Sequence, residues 1–275
     1  MDRSPKDHQA RALSRTKLRK PPSLFRRPWF AKRILEIGAG HLPYQGVTHV
    51  VDKFPQSEEN AMGARSGDVW IPPGVEFREG EFESLPFSDE ERFDYLYARH
   101  VFEHVIDPQA SVREINRLAA RGYIETPSPL YEMLCCSYPY SPKDVHFWFV
   151  WSDPRKNELH VVKKTERSVA EFSSSPYGRM AQALTLAKRA FPDRVPDSLL
   201  PNKAKTTRLF FRGPITLKIH NNFEEALQAG TDAFASLGSV LPYLRLPVAW
   251  VYPRFLPLKE ILGQLPPSGD QTHNK

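Results

Sequence analysis

Glu36, Gly38, Ala39 and Gly40 end an apolar run, Arg33-Ile-Leu-Glu-Ile-Gly-Ala-Gly40, that can bring backbone close to a small charged ligand. Ile34, Leu35 and Ile37 suit a strand covered on both faces, and the two glycines remove the Cβ atoms that would block close approach. A carboxylate at Glu36 offers little to a diphosphate but a charge-assisted partner to an amino-acid ammonium. S-adenosylmethionine, an amino acid joined to a nucleoside, meets that description. Asp52, twelve residues after Gly40, has two carboxylate oxygens for the hydroxyls of a ribose. Within Glu79-Gly80-Glu81-Phe82-Glu83, Glu81 can face an adenine amino group and Phe82 can wall its ring. The run Tyr97-Ala-Arg99-His100-Val-Phe-Glu103-His104 brings Arg99 to the cofactor and polar groups to the methyl-donor end.

A methyl group on a sulfonium is already electrophilic. The protein has only to hold an acceptor atom in line, ~3 Å from the methyl carbon, and to take a proton where the acceptor carries one. Histidine titrates in the useful range, so His100, His104 and His146 are the candidate bases. His104 reads equally as a group that orients a loop by hydrogen bonding, and His146 as a packing partner of Trp148. Glu125 and Thr126 are candidates for positioning an acceptor. Cys135 and Cys136 form neither a disulfide framework nor a zinc site and read as small buried residues in a reducing compartment. No metal-ligand set is expected.

These residues need strands whose ends converge. Arg33–Ile37, Thr48–Asp52, Val75–Arg78, Phe93–Ala98 and Tyr123–Thr126 read as strands, with the first connection too short for an ordinary helix. A helix is expected from Pro108, capped by Asp107, with Val112, Ile115 and Leu118 on its apolar face and Gly122 closing it. The fold class is therefore α/β, a doubly wound, mainly parallel sheet that binds ligands outside the carboxyl ends of its strands. Beyond Pro127 the alternation fails. Lys143–Lys164 reads as an aromatic loop feeding a hairpin, Ser168–Phe191 as a helix pair, Leu209–His220 as one strand, and Phe223–Leu237 as a helix. The expected organisation is a flexible basic arm over 1–30, a ligand-binding domain over 31–165, and a mixed, mostly helical extension over 166–275.

Over Arg33–Thr126 the chain resembles the class I S-adenosylmethionine-dependent methyltransferases of the small-molecule type. The resemblance lies in Leu85-Pro86-Phe87, Phe93-Asp94 and Phe102-Glu103-His104. It looks closest to a bacterial subgroup with a shortened first loop, here Gly38 to Pro43, with Arg121 to Ser128 at the fifth strand and His146-Phe147-Trp148 after it. The resemblance implies a Rossmann-like fold and the cofactor S-adenosyl-L-methionine. It also suggests a small-molecule or saccharide acceptor, leaving the acceptor atom open. The third glycine of the usual loop is absent, Leu42-Pro43 standing in its place.

The net charge of +6 on 275 residues is local, since 11 Lys and Arg face 2 Asp before Ile34. An RNA-directed methyltransferase using that arm is one alternative. It is not favoured, because Ala98-Arg99-His100-Val101 is not the Pro-Pro loop that serves base amino groups. A non-catalytic methyltransferase-like binding module is another. A nicotinamide enzyme fits worse, given Glu36, the missing glycine and the position of Asp52. No signal peptide is read, and prolines and arginines interrupt the apolar stretch 237–265 before it could span a bilayer. The expected location is cytoplasmic, with packing of 237–265 onto the main domain preferred over a peripheral membrane contact. Oligomeric state is open.

Overall fold

The structure is a computed structural model that describes residues 31–40, 43–54, 71–135, 146–175, 178, 205–223, 225 and 226. The basic arm 1–30, Cys136, the later part of the expected helix pair, nearly all of the expected helix Phe223–Leu237 and the apolar stretch 237–265 lie outside the described residues. The chain divides into two compact units that alternate along the sequence. The first is Met1–Thr126, Pro154–Glu158 and Arg208–Leu217; the second is Pro127–Asp153, Leu159–Thr207 and Lys218–Lys275.

In the first unit the strands are β1 (Ile34–Ile37), β2 (His49–Asp52), β3 (Glu76–Glu79), β4 (Tyr95–Arg99) and β5 (Arg121–Pro127). Together with a later strand numbered β8 (Thr206–Arg212) they form one sheet in the order β3-β2-β1-β4-β5-β8. β1 to β5 pair in parallel, with Leu35 opposite His49 on one side and Leu96 on the other. Gly213 N–H donates to Ala120 just before β5, and Arg208 reaches Glu125 near its end, so β8 runs antiparallel to β5. The doubly wound, mainly parallel α/β sheet read from the sequence is therefore present, with its sixth strand drawn from the C-terminal part of the chain. Every residue of β1 is buried, as a strand covered on both faces requires. Tyr44, Tyr95, Tyr97 and Tyr123 pack with Ile34, Val47 and Val50 into one aromatic-aliphatic cluster.

Helix α1 (Pro108–Leu118) starts as the sequence indicates. The Asp107 side chain accepts from Gln109 N–H and Ala110 N–H at 2.9 and 3.0 Å, satisfying two donors that the first turn leaves open. Gly122 does not close this helix. The helix ends at Leu118, and Gly122 lies inside β5, where a Cβ would stand 2.4 Å from the Leu96 carbonyl and 2.5 Å from the Phe211 ring. Its role is close approach between strands, not chain reversal.

The strands β6 (Trp148–Asp153), β7 (Glu158–Lys163) and β9 (Thr216–His220), which fall mostly in the second unit, form a three-stranded sheet in the order β6-β7-β9. Helix α2 (Pro129–Cys135) precedes it, and α3 (Glu166–Ser174) follows β7 with a capping box between Thr165 and Ser168. Phe149 packs against Phe172 and Phe223, and Trp151 stacks on His160 and His220. The single strand expected over 209–220 is two, β8 and β9. Gly213, at φ +90°, and Pro214 turn the chain between them and send β9 to the other sheet.

Candidate functional site

A cleft of about 340 Å³ opens at the carboxyl ends of β1, β2 and β4, where a sheet of this order leaves its crevice. Gly38, Ala39 and Gly40 form one wall. Gly38 and Gly40 adopt φ of +64° and +61°, a region open to glycine and strained for other residues. A Cβ on Gly38 would press 2.9 Å from Val101, whereas one on Gly40 would meet nothing within 4 Å among the described residues. Glu36 is not on this wall. It is buried behind it, where its Oε2 accepts from the Tyr44 backbone N–H at 2.6 Å.

Asp52 enters the cleft from the end of β2, with Oδ1 accepting from Phe54 N–H at 3.1 Å. Glu81 and Phe82 follow β3 on the same cleft, with Glu81 3.0 Å from Lys53 and Phe82 edge-on to Phe102. Sequence reasoning missed Lys53, Phe54, Glu83 and Ile106, which also line it. Glu83 ties the rim together by accepting from Ile106 N–H at 2.6 Å, and Ile106 is 76% exposed there. A Glu 23 residues before its backbone partner leaves no local pattern to read.

At the end of β4, Arg99, His100 and His104 line the cleft together. The Arg99 guanidinium lies over the Tyr44 ring, and its Nε is buried without a hydrogen-bond partner among the described residues. His100 has φ +52° and donates its backbone N–H to Glu125 O at 2.7 Å. Its ring stands between two carboxylates, Nδ1 3.6 Å from Glu103 and Nε2 3.5 Å from Glu125. Burial pushes its pKa down, but Glu103 and Glu125 outweigh that and lift it to about 9. Burial raises Glu125, yet His100, the Tyr123 hydroxyl and Arg208 bring it down to about 2. Tyr123 donates its hydroxyl to Glu125, and Arg208 Nε donates to the same carboxylate at 2.9 Å. Glu103 is 1% exposed, and His104 Nε2 stands 3.9 Å from it.

The third candidate base, His146, belongs to the second unit. There its Nδ1 is 2.6 Å from Glu132, whose other oxygen accepts from Lys164 at 3.0 Å. Burial raises the Glu132 pKa, but His146 and Lys164 bring it below the ordinary carboxylate value. Thr126 is buried, and its hydroxyl has no hydrogen-bond partner among the described residues.

The donor set of the cleft fits the nucleoside-linked amino acid read from the sequence. Among the described residues, nothing stands against the backbone at Gly40, the buried Arg99 Nε has no hydrogen-bond partner, and a carboxylate ends β2. Residues 38–124 match a family described as "Methyltransferase domain". No curated protein matches the chain. Among solved structures, the N-terminal domain of EvdMO1, crystallised in the presence of SAH and D-fucose, is 24% identical over 36% of this chain and 45% of its own, with a TM-score of 0.27. An S-adenosylmethionine-dependent methyltransferase from Thermotoga maritima is 26% identical over 34% and 42%, with a TM-score of 0.26. Another from Mesorhizobium loti is 19% identical over 37% and 49%, with a TM-score of 0.28. The chain spans less than half the length of each.

Proposed function

We propose that the protein, whose residues 38–124 match a methyltransferase-domain family, transfers a methyl group from S-adenosylmethionine to a small-molecule or saccharide acceptor. The observation that carries the reading is the convergence of the glycine turn, Asp52, Glu81, Phe82 and Arg99 on one cleft at the strand ends. The cofactor, when bound, supplies an electrophilic methyl group on sulfur. Asp52 takes the ribose hydroxyls, Glu81 the adenine amino group, and Phe82 an apolar edge of the ring. Arg99, which lines the same cleft as the glycine turn, would take the amino-acid carboxylate. The acceptor meets the β4 end, where His104 is the proposed proton acceptor for a hydroxyl nucleophile.

Calorimetric titration with S-adenosylmethionine and S-adenosylhomocysteine tests the proposal, alongside Asp52→Ala. Saturable binding by the intact chain, weakened about tenfold or more in the variant, is expected. A folded protein that binds neither compound would overturn the assignment and leave the non-catalytic module in its place. Given binding, transfer of labelled methyl to sugars and lipid-linked sugars tests the acceptor class.

A further inference from the structure

We propose that Glu103 is a positioning residue that holds the His100 ring between two carboxylates, so that the β4 end of the cleft presents a fixed cation and not a base. The inference rests on reading the cleft as the donor site and deepens it by separating the roles of its two histidines.

Three observations carry it. Glu103 is 1% exposed, and neither of its carboxylate oxygens accepts a hydrogen bond among the described residues. A carboxyl group buried without a hydrogen bond is unfavourable unless a positive group answers it. Within its unit the nitrogens facing it are those of His100 and His104, at 3.6 and 3.9 Å. Second, both ring nitrogens of His100 face carboxylates, and a neutral imidazole has only one donor. Only the imidazolium turns a nitrogen carrying positive charge and a proton toward each carboxylate, at ion-pair separations of 3.6 and 3.5 Å. Third, Arg208 and the Tyr123 hydroxyl both bind Oε2 of Glu125 and His100 faces its Oε1, so Glu125 shares its charge among three groups, whereas Glu103 accepts no hydrogen bond among the described residues.

Among the described residues of this unit, the charged and titratable groups around His100 are Glu103 and Glu125, Arg208 and Tyr123 behind Glu125, His104 beyond Glu103, and the neighbouring Arg99. The pKa of about 9 agrees with the geometry. The left-handed backbone at His100, clamped by its N–H bond to Glu125, keeps the ring in place at the cost of local strain. His100 consequently takes no proton from an acceptor at neutral pH. A hydroxyl proton of an acceptor passes to another group.

Histidine ring 15N spectra of the full chain test this, with His100→Gln identifying the resonances. At about pH 7.5 both His100 nitrogens are expected to show the imidazolium signature. Glu103→Gln should lower its midpoint by about one to three pH units, the effect of removing one adjacent opposite charge, and Glu103→Asp should restore most of it. An unchanged midpoint in Glu103→Gln would reduce Glu103 to a packing residue and overturn the proposal. Should that variant not fold, the wild-type spectrum decides, because a neutral single tautomer at pH 7.5 is incompatible with it. The readout needs no cofactor, so failure here is distinct from failure to bind S-adenosylmethionine.

Discussion

Glu36 accepts a hydrogen bond from the backbone N–H of Tyr44 at 2.6 Å and so ties the end of β1 to the chain returning toward β2. The sequence pattern suggested that this carboxylate would meet a ligand ammonium. Its burial instead makes it the inner brace of the glycine wall, and Tyr44 in turn carries the Arg99 guanidinium over its ring. One buried bond therefore links the glycine turn to the cation of the cleft.

Glu36→Ala would leave the Tyr44 N–H unsatisfied in a buried place. We expect a loss of about 1–3 kcal/mol in urea unfolding, with Glu36→Gln closer to wild type because its amide oxygen can still accept. Equal losses in both variants would show that charge, not hydrogen bonding, is what the site needs.

Gly38 and Gly40 separate two effects. Both have positive φ, but only at Gly38 does a Cβ collide, with Val101 at 2.9 Å. Gly38→Ala should lower stability by about 1–3 kcal/mol, while Gly40→Ala should carry only the backbone strain of about 1 kcal/mol. If the cleft holds the cofactor, Gly40→Ala should weaken S-adenosylhomocysteine binding by calorimetry more than its stability loss explains, because the added methyl enters open space beside the ligand.

Gly122→Ala tests the corrected role of that residue. Its Cβ would meet a main-chain carbonyl, which cannot move without disturbing β4, as well as the Phe211 ring. A loss of about 2 kcal/mol or more is expected by denaturant unfolding. A neutral result would mean that the β4-β5-β8 spacing relaxes freely.

What could be read beforehand was what short-range pattern encodes. The buried β1, the Asp107-Pro108 start of α1 and the gathering of Asp52, Glu81 and Arg99 at strand ends follow from periodicity, capping chemistry and topology. What could not be read depends on partners distant in sequence. Gly122 looks like a helix stop until Phe211 lies against it, and Leu209–His220 looks like one strand until its halves join different sheets. His146 shows no sign in sequence of Glu132 and Lys164, nor His100 of the Glu125 that Arg208 holds, 83 residues on.

The His100–Glu125 pair gives stability a pH dependence at both ends. Glu125 is lowered from 4.5 to about 2 on folding, so its contribution is complete above pH 4.5 and is lost as pH falls toward 2. His100 is raised from 6.5 to about 9, so its contribution is complete below pH 6.5 and is lost as pH rises through about 9. Unfolding free energies measured across this range should therefore decline on both flanks. Replacing Glu125 by Gln should flatten the acid flank and also lessen the alkaline decline, since His100 then keeps only Glu103. An alkaline flank identical in wild type and Glu125→Gln would show that the two groups titrate independently despite standing 3.5 Å apart.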